Sequence, residues 1–423
     1  MEDSLLKALQ DLPALVSDHQ LISTLLAAAA TLIGGTGIFS FLRRPKKVSQ
    51  GEAKYLSDKK LLKQAPIKRP AYSDRMAYVL AELSALAYLK FEAPDDIIHQ
   101  LATRFAEIES PDGKTTSQWL EAFADDLLIK GVDSEDFLRK HLASAGFELL
   151  GTINVSGTQG FVCKRTTTDD IPYIAVAYRG TEQEIGDWLT DARAMPWIDA
   201  SDPKVKVHGG FRDALMVAKD SNGKTALDHV KEILAGPEAK DANNNPLPLF
   251  ITGHSLGGAL ALLTTRELAP DVNGACYTYG APRVASYEYF ADIKTPVFRV
   301  VNSVDIVPRV PPGAVMALLN QLIQGLSWVS GFIPALSKLF EKLRVWTDKL
   351  KDYRHFGDQR YLTDIKGGRF ETVQLLSNPP AIDRLIWMGQ HIHMTTLMAP
   401  AKSHGMRIYR DKLQYIAERR YKI

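Results

Sequence analysis

The chain has 423 residues, 45% hydrophobic and 24% charged, with a formal net charge of +2 at pH 7. That size and apolar content exclude a disordered or fibrous chain and allow one large core with appendages, while so small a charge excess excludes bulk attraction to nucleic acid. Two cysteines, Cys163 and Cys276, exclude a disulfide framework and favour a reducing compartment; neither zinc-type Cys/His spacing nor a glycine-rich phosphate loop occurs, so no metal and no organic cofactor is expected.

Taken in chain order, the first predicted element is apolar. Residues 21–42, "LISTLLAAAATLIGGTGIFSFL", carry no charge, and about 20 such residues suffice to cross a bilayer as a helix. "RRPKK" follows directly, whereas Glu2, Asp3, Asp11 and Asp18 precede it against a single Lys7. Residues 1–48 are therefore expected to anchor the chain in a membrane with the body on the cytosolic side, by the positive-inside rule. A secretory signal would place its positive charge ahead of the apolar stretch. A buried alanine-rich helix is the alternative. Residues 49–72 read as a basic linker drawn to an anionic lipid surface, or as a solvated charged face.

From Ser73 onward, "SDRMAYVLAELSALAYL" has a capping serine and places Met76, Val79, Leu83 and Leu86 at helical spacing. Further helical patterns lead to a strand over Phe147–Val155. The period then changes. "IPYIAVAYRG", "PLPLFITGHS", "GACYTYGAP" and "TPVFRVVNSVD" read as short strands, with "TALDHVKEILA" and "LGGALALLTTRELA" as helices between them. Strands separated by helices give an α/β fold with a mostly parallel central sheet covered on both faces. In such sheets the chemistry gathers beyond the carboxyl ends of the strands.

At one of those ends, Gly253-His254-Ser255-Leu256-Gly257 matches G-x-S-x-G between a strand and a helix. In that motif the serine occupies a strained turn that projects its hydroxyl from the sheet. The other reading is a plain glycine-rich turn. As a nucleophile, the serine needs a base and a carboxylate that holds the base in the right tautomer. Asp305, in a polar turn after a later strand, qualifies as the acid, or else forms an Asx turn before Pro308. Four histidines follow it: His355, His391, His393 and His404. His404 is preferred, because it stands in a short polar loop before a terminal helix; His391 and His393 alternate within an apolar stretch that suits half-buried polar residues.

These motifs, with "AELSALAY", "VAYRGTE", "DWLTDARA", "VHGGFRDAL", "TYGAPRV", "VVNSVDIVPRVPP", "YRHFGDQRYL" and "SHGMRIY", occur in the order found in the class 3, fungal-type lipases of the α/β-hydrolase superfamily. The chain resembles that family over about residues 73–420. The resemblance implies an α/β-hydrolase fold for residues 73–423 and a triad of Ser255, Asp305 and His404. It implies an oxyanion hole from Thr181 and the backbone amide of Leu256, with Asp191 steadying Thr181. It aligns residues 181–195 with a lid, in which Ile185, Trp188 and Leu189 would cover the serine. His254 and His208 match positions lining the substrate site, as packing or orienting groups. Ser403 stands where the family often has an acid.

A further departure is an insertion over about 313–350. Residues 313–337 carry no charge, and Val315, Leu319, Leu322, Leu326, Val329, Ile333 and Leu336 form one apolar stripe, interrupted at Gly331 and Pro334. It is expected to form helices near the pocket mouth, either dipping into the membrane interface or packing on protein. The expected function is that of a membrane-associated lipase cleaving carboxylic esters of acylglycerols or phospholipids through an acyl-serine intermediate. The alternatives are a non-lipid carboxylesterase or acyltransferase, and a catalytically silent lipase-like scaffold at the membrane.

Overall fold

In a computed structural model, the protein is described over residues 55–62, 71–89, 134–167, 171–180, 196–268, 273–303, 305, 307–309, 352–365, 369–380 and 404–421. The expected anchor, the lid, the 313–350 insertion, Thr181, Asp191, His391 and His393 lie outside these residues. Among the described residues no helix is long and apolar enough to cross a membrane.

The described helices are α1 (Lys59–Leu62), α2 (Asp74–Leu86), α3 (Ser134–Ser144), α4 (Gly209–Met216), α5 (Ala226–Ala235), α6 (Leu256–Leu268) and α7 (Met406–Tyr421). The strands are β1 (Phe147–Val155), β2 (Thr158–Arg165), β3 (Ile174–Tyr178), β4 (Pro196–Ile198), β5 (Lys206–His208), β6 (Leu249–His254), β7 (Gly274–Tyr279), β8 (Val297–Asn302), β9 (Asp358–Leu362) and β10 (Leu375–Ser377). Eight of them form one sheet in the order β1-β2-β3-β6-β7-β8-β9-β10. The pairs from β3 through β6, β7 and β8 to β9 are parallel, and β1-β2-β3 and β9-β10 are antiparallel. This matches the expected α/β sheet. Its antiparallel margins and the separate β4-β5 hairpin were not expected, because strands β2, β9 and β10 mix polar and apolar residues without a clean alternation.

Side chains along the central strands alternate between two cores, as the pleat requires. Phe250 of β6 belongs to the core under α2, α3 and α7, and its neighbours Leu249 and Ile251 belong to the core under α4, α5 and α6. The outcome is a three-layer sandwich. Helix α2 starts where expected, because the Ser73 hydroxyl accepts a hydrogen bond from the Met76 amide; such a cap contributes about 1 kcal/mol. Polar bonds then seat α2 on the sheet: the Ser73 amide donates to Tyr277 Oη at 3.1 Å, and Tyr279 Oη donates to the Ala77 carbonyl at 2.5 Å.

Glu82 of α2 is only 1% exposed, and burial raises its carboxyl above the usual range against the opposing pull of Arg410. Its partners account for so costly a placement. Arg410 Nε of α7 lies 3.4 Å from it, and the Leu56 amide donates to it at 3.1 Å. Arg410 also stacks over the Tyr55 ring, 5.3 Å from its centroid. This cluster ties the segment ahead of α1 to both α2 and α7. Helix α7 is thereby fixed to the body, and it begins two residues after His404.

Candidate active site

Strand β6 delivers Ser255 into a turn with φ of +57°, a left-handed conformation that a serine adopts only under strain. The surroundings leave no alternative path. A Cβ on Gly253 would lie 2.2 Å from the Gly257 carbonyl oxygen, and one on Gly257 would lie 2.4 Å from the Tyr178 carbonyl oxygen at the end of β3. The two glycines therefore let the start of α6 press against β6 and β3. Gly257→Ala is expected to force β3 and α6 apart and destabilise the fold by about 2 kcal/mol or more. Denaturant titration checks this, and an unchanged midpoint would show that the packing tolerates the methyl group.

The turn is tied to the next strand by the Ser255 amide, which donates to the Tyr279 carbonyl at 2.9 Å. Gly280 follows, and a Cβ there would lie 2.7 Å from Asp305 Oδ2 and 3.2 Å from His404 Cε1. The acid and the imidazole thus lie against the backbone that holds the serine. On the other side, a Cβ on Gly180 would come within 3.1 Å of Ser255 Cβ and 2.6 Å of the His254 carbonyl oxygen. Thr181 is the next residue in the chain.

Asp305 stands beyond the end of β8 and is fully buried. Its carboxylate receives His404 Nδ1 at 3.0 and 2.9 Å, the Val307 amide at 2.9 Å and the Tyr409 hydroxyl at 2.5 Å. With Nδ1–H donated to the carboxylate, the lone pair of a neutral ring resides on Nε2. Nε2 is buried and has no hydrogen-bond partner among the described residues. An imidazole so held can accept a proton there, and the carboxylate would steady the resulting imidazolium. The turn that carries Asp305 is fastened from several sides. Arg309 donates to the carbonyls of Asp305 at 3.1 Å and Ser303 at 2.9 Å, and His355 Nε2 lies 2.6 Å from the Pro308 carbonyl oxygen. That bond gives His355 a task in the turn.

His254 has a different role from His404, although their rings are 4.5 Å apart. Its Nε2 lies 2.6 Å from the His404 carbonyl oxygen, and its Nδ1 lies 2.6 Å from Tyr88 Oη. Since a carbonyl only accepts, Nε2 carries the proton and Nδ1 accepts from the tyrosine. Burial, with His404 adding to it, pushes its pKa well below the histidine range. A neutral ring therefore holds the backbone of His404. His208 is also buried; it stacks on Phe211 with centroids 4.0 Å apart and has Tyr353 at 6.2 Å. Burial brings its imidazole down to about 4, and these aromatic neighbours make it a packing group at the start of α4.

The structure thus gathers Ser255, Asp305, His404 and His254 around the Tyr279–Gly280 backbone and the end of β6. It adds Tyr88, Gly280 and Tyr409, which no residue-by-residue reading had singled out, although Tyr88 and Tyr409 close the quoted motifs "AELSALAY" and "SHGMRIY". Leu256 opens α6 directly after the strained serine, where its amide lies in the unpaired first turn of the helix. Among the described residues no cluster of three or more His, Cys, Asp or Glu is placed to hold a metal ion.

Residues 175–315 match the family described as Lipase (class 3). The phospholipase A1-Igamma2 of Arabidopsis thaliana is 32% identical over 190 residues, which are 37% of this chain and 34% of that protein. The lipase of Rhizomucor miehei is 35% identical over 150 residues, 33% of this chain and 38% of its own. Secreted mono- and diacylglycerol lipase 1 of Fusarium solani is 39% identical over 165 residues, 38% of this chain and 46% of its own. The chain therefore spans between about a third and a half of these relatives' length.

Proposed function

We propose, from the class 3 lipase region that residues 175–315 form, that the chain is a serine ester hydrolase acting on acylglycerols or phospholipids. Ser255 Oγ attacks the ester carbonyl, and His404 Nε2 takes its proton and returns it to the leaving alcohol. Asp305 holds the imidazole in the required tautomer. The tetrahedral oxyanion is received by the Leu256 amide and by Thr181, a pair of donors that contributes a few kcal/mol to the transition state in sites of this kind. Water then cleaves the acyl-serine by the same steps. The observation that carries this reading is the proton-accepting nitrogen of His404, without a partner among the described residues while its other nitrogen is bound by a buried carboxylate, with both groups against the Tyr279–Gly280 backbone that holds the strained serine.

The substrate class rests on relatives named for phospholipids and for mono- and diacylglycerols. We propose further that residues 21–42 anchor the chain in a membrane with the body cytosolic, and that 181–195 form a lid over the serine. A tethered enzyme meets lipid esters at the bilayer surface, which favours lipids over small soluble esters. Exposing the full chain to a fluorophosphonate and mapping the adduct by mass spectrometry tests the chemistry: label on Ser255 is expected, and a folded protein that takes up none would refute it. For the lid, Trp188→Ala is expected to lower hydrolysis of phospholipid vesicles several-fold more than hydrolysis of a short soluble ester. Equal losses on both would remove the lid assignment.

A further inference from the structure

Lys412 lies on α7, two turns beyond His404, and is a buried cation with no part in the chemistry above. It is 1% exposed. Its ammonium donates to Asn302 Oδ1 at 2.6 Å and to the Thr363 carbonyl at 2.7 Å, with Asp364 Oδ1 at 3.9 Å. Asn302 is the last residue of β8, and its backbone leads into the site. Its amide donates to Tyr409 Oη at 3.0 Å, its carbonyl accepts from the Asp305 amide at 3.1 Å, and Tyr409 Oη donates in turn to Asp305 Oδ2. One helix therefore carries Tyr409 and Lys412 and starts two residues after His404, and one strand end leads from Asn302 to Asp305. The ammonium is where the two are fastened together at depth.

We propose that Lys412 is a positioning residue that rivets α7 to the end of β8 and so holds the His404 imidazole on the Asp305 carboxylate. Desolvating an ammonium is costly, and a hydrophobic side chain of similar length would fill the same volume without that cost. Two charge-assisted hydrogen bonds from one atom, to the end of β8 and to the segment beyond β9, give what a hydrophobic side chain lacks, namely fixed distances. Burial brings the Lys412 ammonium down to about 8, against the raising influence of Asp364. The ionisable group that acts on it directly is Asp364 beyond β9, and Asn302 separates it from Tyr409 and Asp305, the tyrosine's phenol being pushed well above its range by burial.

This inference rests on the hydrolase reading for its catalytic consequence, and the test separates the two. Lys412→Met in the full chain is expected to lower kcat on a short soluble ester about 10- to 100-fold, with KM within twofold. In proton NMR the downfield resonance of His404 Nδ1–H, assigned by its loss in Asp305→Asn, is expected to move upfield or broaden. A folded variant with kcat within twofold of the parent and an unmoved resonance would overturn the rivet and leave the hydrolase intact. If the parent protein neither hydrolyses esters nor takes label on Ser255, the hydrolase reading fails, and the resonance alone decides the rivet.

Should the variant not fold, the parent supplies the measurement through pH. Between about 8 and the ordinary 10.5 the unfolded chain keeps a proton on this lysine that the folded chain has lost, so its contribution to stability rises with pH. The neutral amine forms weaker bonds, so kcat is expected to fall several-fold in the same window while this contribution rises. A kcat that stays flat from pH 7.5 to 9.5 would overturn the proposal.

Discussion

Replacing Ser255 by alanine is expected to lower ester turnover by about a million-fold, the loss found when a serine nucleophile is removed from a triad. What remains would come from the oxyanion donors and binding alone. The fold should not suffer. Ser255 is at φ of +57°, a conformation that costs alanine about what it costs serine, and the backbone bond from residue 255 to the Tyr279 carbonyl is independent of the side chain. The measurement is turnover of a short-chain ester together with a thermal unfolding midpoint. Activity within tenfold of the parent in a folded variant would place the nucleophile elsewhere.

Asp305→Asn is expected to cost about 10⁴-fold in kcat, and the reason lies in the hydrogen bonds around the carboxylate. Oδ1 accepts from the Val307 amide and His404 Nδ1, and Oδ2 accepts from the Tyr409 hydroxyl and His404 Nδ1. An amide offers one acceptor in place of two. Whichever way it turns, its NH₂ group meets a donor, and the arrangement that satisfies it makes His404 Nδ1 an acceptor. The ring proton then moves to Nε2, which can no longer take one from serine. A buried donor left unpaired should also destabilise the fold by about 1–3 kcal/mol. Comparing pH–rate profiles and denaturant midpoints checks both parts. A variant of full stability and undiminished kcat would show that the carboxylate does not set the tautomer.

Much of this site was legible in the sequence because it is built from local signals. The G-x-S-x-G turn needs only five consecutive residues, and the clash distances at Gly253 and Gly257 show why those two positions admit no side chain. The strand over Phe147–Val155 and the cap at Ser73 are likewise decided within a few residues by β-pattern and hydroxyl geometry. Asp305 and His404 were candidates by their positions in polar turns after the serine, and the family resemblance implied both as members of a triad. His355 was an open competitor until its bond to the Pro308 carbonyl appeared.

Other parts carried no readable mark. Lys412 sits in "MRIYRDKLQYIAERRY", a helix rich in charge, where a lysine looks like any solvated side chain; only the tertiary structure buries it and gives its ammonium Asn302 and the Thr363 carbonyl as partners. Tyr88 and His254 are 166 residues apart, and the bond between them, which sets the His254 tautomer, exists because α2 and β6 are neighbours across a sheet layer.

The sequence by itself determined the central strands with the helices between them, the G-x-S-x-G turn and a short set of candidate acids and bases, because hydrophobic period, turn chemistry and side-chain acidity are properties of short stretches. Tertiary structure alone decided which nitrogen of His404 binds the carboxylate, which histidine is held neutral as a support, and which lysine is buried. Those outcomes depend on hydrogen bonds between residues about 100 to 170 positions apart. Such bonds form only when the sheet and its covering helices bring donors and acceptors within 3 Å in a space that excludes water.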